Sequence, residues 1–462
     1  MKNRIKQYLL AASMCVGLTA CSDFFEPIPG VQFGLDETFA SKQRTEEYLN
    51  NVYSYVREVT DAIHPNTYGG IFTEASLDGA NRWNKTYAEW TNGSFNSASA
   101  QASEYFSKYY QAIAKASTFI QNVDKCTEAA ASTRGKWKSE ARALRAYYYF
   151  ELLRLYGPIP LIGEDPIPLD ASLEELIKER NSVDECVNFI ATELQSAIDS
   201  GDLLQRAGKA NLGRMDVATC MALKAKLYLY WASPLFNGNT DQASVKNKDG
   251  KQLFPQTEDN SKWAQARDAY ERFMTFATGQ GYKLTEVYTN GKLDPYASCR
   301  AAGEFFTTTW EAVDELIFVK LRDLYDYTYW VCPKFTDFQD TDVTGGGGYY
   351  TTQETVDLFF TKDGLTIEED PGYDKFEGIP GANNFTSGRY YDPNNPSRLY
   401  FDADKSKVLK QWKDREPRFY VNITYSGSIW LNEGKYNEEM RTDFTNGANG
   451  TCGKSKASGD CP

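Results

Sequence analysis

The stretch Lys138–Pro158, KSEARALRAYYYFELLRLYGP, decides how the rest of the chain is read. Ala141, Leu144, Tyr148, Leu152 and Leu155 recur at three- and four-residue steps and form one apolar stripe of a helix, while Tyr147, Tyr149 and Phe150 cover its flanks. So wide an apolar surface predicts a helix buried on most sides. Gly157-Pro158 ends it, the glycine by accepting a left-handed backbone and the proline by lacking the amide that would continue it. A second helix is predicted from Asp216 through Val217, Met221, Ala225, Tyr228 and Trp231, stopping at Ser233-Pro234. The two helices share Ala-Leu-[Arg/Lys]-Ala-x-x-Tyr-[Phe/Leu], at Ala143–Phe150 and Ala222–Leu229. Their offset of about 80 residues is that of two helical-hairpin repeats of the tetratricopeptide kind.

Outward from these two helices, apolar residues keep helical spacing from Glu37 to Thr278, with turn residues between blocks, which predicts a run of antiparallel helices. Beyond Thr278 Gly, Asp, Asn, Pro and aromatic residues take over, leaving only short apolar runs such as Leu316–Val319. The expected fold is mainly α: a tetratricopeptide-like hairpin scaffold over 37–280, followed by an irregular, loop-rich region over 281–462. At the N-terminus Lys2, Arg4 and Lys6 precede the apolar run Tyr8–Leu18, too short to span a bilayer and shaped like an export signal. It closes on Leu18-Thr19-Ala20-Cys21, which resembles a bacterial lipobox. Residues 1–20 are therefore expected to be a lipoprotein signal peptide, Cys21 the lipidated first residue, and 21–36 a tether.

Composition excludes several functions. With 50 Lys plus Arg against 63 Asp plus Glu, the formal charge of −13 has the wrong sign for nucleic acid. A serine-type triad or a His-ligated metal centre would have to rest on the single histidine, His64, and with no nucleophile motif to pair with it this is read as a loop residue without catalytic duty. Gly345–Gly348 is followed by Tyr349-Tyr350 instead of Lys-Ser/Thr, so it is a loop and no phosphate cradle. The acids of Asp337–Asp342 lack an EF-hand register and are read as a solvated loop. Neither a metal nor another cofactor is expected. Cysteines show no CxxC pair; Cys126, Cys186 and Cys220 are expected as small buried residues of helical segments, while Cys452 and Cys461 are close enough in sequence to bridge.

The blocks themselves are familiar in order. Glu140–Phe150 with Leu155-Tyr156-Gly157-Pro158-Ile159-Pro160-Leu161 resembles the signature of the SusD/RagB family, surface lipoproteins of Bacteroidetes-type bacteria. Tyr109–Ala116, Met221–Pro234, Trp263–Arg267, Gln353–Phe359 before Asp363-Gly364, and Asp414–Phe419 agree with it. The resemblance implies a four-repeat helical scaffold bearing an irregular ligand-binding face, lipid-anchored at the outer-membrane surface as a lid over a SusC-like TonB-dependent transporter. Its task would be glycan capture without chemistry. Two departures stand out: Ser117 replaces the family's usual Asn, and no closing helix follows the Gly-rich stretch 447–462, which implies a truncated last repeat.

Sugar recognition needs flat aromatic faces for C–H surfaces and planar polar groups for hydroxyls. Asp78, Asn81, Arg82, Trp83 and Trp90 offer both in one interhelical loop, and Tyr329 and Trp330, with Tyr327, form a second aromatic cluster. These are the expected ligand-binding residues. Rival readings are a peptide cargo, a plain protein-interaction scaffold, and a glycoside hydrolase, which would need only two suitably spaced carboxylates.

Overall fold

The structure is a computed structural model, which describes residues 33–57, 76, 79–81, 89, 93–165, 167–168, 171–303, 314–320, 349–376, 380–404 and 407–428. Cys21, His64, the 337–342 acids, the 345–348 glycines, Cys452 and Cys461 lie outside them. The scaffold comprises α1 (Leu35–Ala40), α2 (Lys42–Ser54), β1 (Ala80–Asn81), α3 (Ala100–Asn122), α4 (Ala131–Tyr156), α5 (Leu173–Leu176), α6 (Val183–Asp199), α7 (Val217–Ala232) and α8 (Ser261–Gly279). Then come short pieces: β2 (Tyr288–Thr289), β3 (Lys292–Leu293), α9 (Pro295–Gly303), β4 (Tyr349–Tyr350), α10 (Gln353–Asp357), β5 (Arg389–Asp392), β6 (Asn395–Asp402) and α11 (Pro417–Asn422). The fold is predominantly helical, and among the described residues the sheets are three separate two-stranded pairs.

The opening stretch behaves as its pattern predicts. From Ser139 to Leu153 every residue of α4 except Arg142 is buried. Gly157 stops the helix at φ 68°, its amide donating to the Leu153 carbonyl at 3.0 Å, and a Cβ there would stand 3.0 Å from the Phe254 ring. Start signals are equally explicit. Ser182 and Glu185 exchange capping bonds at the head of α6, and the Asp216 carboxylate accepts from the Thr219 amide at 2.7 Å at the head of α7.

Contacts between neighbouring helices run in opposite sequence directions, which makes each pair a hairpin. Asp124 meets Lys138, Ser117 meets Arg145, Tyr109 meets Tyr148 and Phe106 meets Tyr156, so α3 and α4 are antiparallel. Ser200 with Ser139, Glu193 with Arg145, and Phe189 with Tyr149 do the same for α4 and α6. Asp184 with Trp231 and Gln195 with Lys224 orient α6 against α7.

The repeated octamer now has a physical meaning. Arg145 of the first copy and Lys224 of the second both reach α6, from opposite sides, to Glu193 and Gln195 respectively. One helix is thereby gripped by two equivalent cationic positions.

The described residues form two hydrophobic cores. The larger fills the helical stack around Phe39, Leu49, Phe119, Leu144, Ile190 and Leu227. The smaller consists of Val356, Tyr400, Phe401, Val408, Phe419 and Tyr425 in the irregular half. Beside it Arg398 donates to Asp294 and Asp392 and lies over the Tyr296 ring, tying α9 to the β5–β6 hairpin. Cys186 and Cys220 are buried within α6 and α7, as expected; Cys126 is buried too, though it follows a short 3-10 turn and is in no helix. Among the described residues no helix is long and apolar enough to cross a membrane.

Candidate functional site

Most of the sequence-predicted site, Asp78, Arg82, Trp83, Trp90, Tyr329 and Trp330, lies outside the described residues, and Asn81 is placed through its backbone alone. That backbone is informative. Asn81 pairs with Tyr349 and Ala80 with Tyr350 in an antiparallel two-residue ladder. The segment expected to be a plain interhelical loop therefore sends a strand into the irregular half, just after buried Gly79. Tyr350 is substantially exposed, and Thr352, next but one, caps α10 by accepting from the Thr355 amide. The sequence signal was a Tyr-Tyr pair directly after four glycines, read only as the absence of a phosphate loop.

A second element leads toward Tyr329 and Trp330. Residues 314–320 form a strap across the scaffold, although their apolar run is not a strand. Asp314 accepts from Arg206 at 2.9 Å, the Ile317 carbonyl accepts from the Thr219 hydroxyl at 3.4 Å, and Phe318 packs edge-on to Tyr147. Lys320 donates to the carbonyls of Val56 at 2.6 Å and Ser54 at 3.2 Å, where the end of α2 leaves acceptors unpaired within the helix. A lysine is well suited to that negative helix end.

Beneath the strap a 270 Å³ cavity is bounded by Asn50, Tyr53, Leu212, Arg214 and Phe318. Arg214 there bridges Glu140 at 3.1 Å and Glu46 at 3.0 Å, and the Tyr53 hydroxyl donates to Glu140 at 2.9 Å. Burial pushes the Glu140 carboxyl above the usual range, while the Arg214 charge opposes that shift. This network ties α2 and α4 together beneath the strap.

The irregular half also has a polar cleft of 380 Å³ lined by Lys362, Asp363, Asp370, Tyr373, Lys410 and Asp414. Asp414 sits at φ 57°, its carboxylate accepting from Tyr390 at 2.9 Å and its carbonyl from the Lys362 amide at 2.8 Å. Lys362 pairs with Asp363, so much of the cleft's charge is internally neutralised. Among the described residues no group of three or more His, Cys, Asp or Glu is arranged to hold a metal ion. What the arrangement can do is present aromatic faces and hydroxyl-binding groups on a fixed frame.

Comparison with known proteins bears on the family. A SusD-like family model, described as starch-binding and associating with outer membrane, matches residues 32–229, and the SusD family model matches residues 315–459. A SusD-like protein of Bacteroides ovatus is 27% identical over 175 residues, which are 36% of this chain and 30% of the relative. The solved structure of BT4246 superposes with a TM-score of 0.66 at 25% identity, over 84% of this chain and 66% of its own. A SusD-like protein of Bacteroides fragilis gives a TM-score of 0.60 at 19% identity, over 91% of this chain and 69% of its own. The chain thus spans under a third of the curated relative and about two thirds of these structures.

Proposed function

Since the chain belongs to the SusD/RagB family, whose members bind ligands and do not transform them, we propose that it captures glycan at the cell surface and passes it to a SusC-like TonB-dependent outer-membrane transporter. The observation that carries this reading is the β1–β4 ladder, which joins the segment of Asp78–Trp90 to the aromatic-rich half through Tyr349 and Tyr350. Rings from both segments would stack on the C–H faces of a sugar, while Asp78, Asn81 and Arg82 hydrogen-bond its hydroxyls. The starch-binding description of the matching family model supports a glycan as cargo. Acylated Cys21 would hold the protein at the outer membrane, each buried methylene contributing about 0.8 kcal/mol. Native electrophoresis through gels containing starch or other polysaccharides tests the reading. Saturable retardation without release of reducing sugar is expected; release would identify a hydrolase, and absence of retardation across a broad glycan panel would reject the cargo class. Co-purification of a TonB-dependent transporter with the membrane-anchored protein tests the partner.

A further inference from the structure

Helix α3 turns a face at four- and three-residue spacing, Phe106, Tyr110, Ile113 and Ser117, toward the chain that leaves α4. Between that face and the Ile162 and Leu176–Ile177 walls lies a 430 Å³ apolar cavity. Its frame is fixed, because the Tyr110 hydroxyl donates to the Pro160 carbonyl at 2.7 Å and Phe106 packs on both Tyr110 and Tyr156. Its lip is unusually apolar for a water-facing surface. Leu173 is 73% exposed, Ile177 67% and Leu176 51%, three aliphatic side chains within five residues on and after α5, while Phe106 opposite is 39% exposed. Contiguous exposed apolar groups beside a formed cavity mark a place where something binds.

We propose that this groove docks a polypeptide segment of a partner protein, one that inserts an aliphatic anchor and carries lysine or arginine beside it. Charge selects that occupant. Between Ile162 and Arg180 the chain has six carboxylates against two cations, and Glu164, Asp165, Glu174, Glu175 and Glu179 are all exposed. A sugar fits the lining poorly, since the Phe106 and Tyr110 rings pack on one another and the Tyr110 and Ser117 hydroxyls are already engaged by Pro160 and Arg145, so its hydroxyls would lose water and gain few partners. A second copy of the chain would bring the same carboxylates against themselves. An anchor side chain in the cavity, with cations over the acidic lip, satisfies both features at once.

The test uses the full chain and three labelled synthetic peptides: one built of leucine and lysine, one with every leucine replaced by serine, and one with every lysine replaced by glutamate. At physiological salt the leucine–lysine peptide is expected to bind at least tenfold more tightly than either control. Ile177→Asp, an exposed position, should weaken it at least tenfold; if that variant melts early, Leu173→Asp replaces it. Glu174→Lys combined with Glu175→Lys should weaken the peptide while leaving glycan retardation as in wild type, which separates this site from the glycan reading. The proposal is overturned by equal binding of the serine peptide, by an unaffected Ile177→Asp, or by no binding of any peptide. Concentration-dependent dimers in sedimentation that Ile177→Asp abolishes would also overturn it, by giving the groove to a second copy.

Discussion

Arg145, without solvent exposure, meets the Glu193 carboxylate through Nε at 2.8 Å and also through Nη2, while its Nη1 donates to Ser117 Oγ at 3.0 Å. Three helices, α3, α4 and α6, are joined at this one guanidinium. Removing a single partner of such a pair leaves the other buried and uncompensated, at a cost of about 3–5 kcal/mol. Glu193→Met, which strands Arg145, should lower stability by that amount in urea unfolding, and Arg145→Met by less, because Glu193 keeps Arg142 at 3.5 Å. The double variant should recover part of it, and strict additivity would show that the two charges do not interact.

Asp294 makes a prediction about acid. Hydrogen bonding from Arg398, ahead of smaller contributions from the Ala297 amide and Thr289, holds its carboxyl down at about 2. An unfolded aspartate titrates near 3.9, so the folded state binds its proton less readily. The pair therefore stabilises fully above about pH 4, and that stabilisation is lost as pH falls toward 2. Arg398→Gln should melt earlier than wild type at pH 6, and the difference should narrow below pH 3. A constant gap across that range would contradict the assignment.

The strap gives two complementary variants. Gly213, at φ 82°, has no room for a Cβ, which would stand 2.8 Å from the Val319 carbonyl oxygen. Gly213→Ala combines strain with a clash and should cost about 1–3 kcal/mol. Lys320→Met removes the bonds to Ser54 and Val56 without adding backbone strain, so its effect on the helical melt should stay near 1 kcal/mol. If the strap positions the aromatic cluster that follows it, Lys320→Met should weaken glycan retardation all the same; unchanged retardation would detach the strap from binding.

Trp83, Trp90 and Trp330 test the proposed rings directly. At least one of the three alanine variants should cost about 2 kcal/mol of binding, roughly a thirtyfold loss in affinity, without lowering the melting temperature. Lower melting temperatures with affinity unchanged per folded molecule would make them packing groups.

For the anchor, Cys21→Ala should move the protein from the membrane to the soluble fraction. Wild type that takes up no tagged fatty acid during growth would remove the lipoprotein assignment.

The scaffold was legible because its signals are local and redundant. The α4 stripe and the stop at Gly157 each depend on a few neighbouring residues, and both occur where the pattern put them, while the second helix, expected from Asp216, starts at Val217 with Asp216 as its cap. The irregular half lacked such redundancy. Hairpin β5–β6 pairs Tyr390 with Phe401 and then Tyr391 with Leu399, a shifted register that breaks the period of two, and Pro396 lies within its second strand. The β1–β4 ladder was hidden for another reason: two residues pair with two others more than 260 positions away, and nothing local to Ala80-Asn81 announces it. The Arg145 and Lys224 positions were visible as a repeated motif, yet that both grip α6 required the packing.

The smaller core around Tyr400 and Phe419 has no buried hydrophobic residue in common with the one that fills the helical stack. Substitutions in one can therefore accumulate without repacking the other. If the irregular half meets the cargo, as proposed, it is free to drift and be selected while the helical frame stays as it is. New specificity in such a molecule would come from rewriting short aromatic segments, leaving intact the helices that make the chain fold.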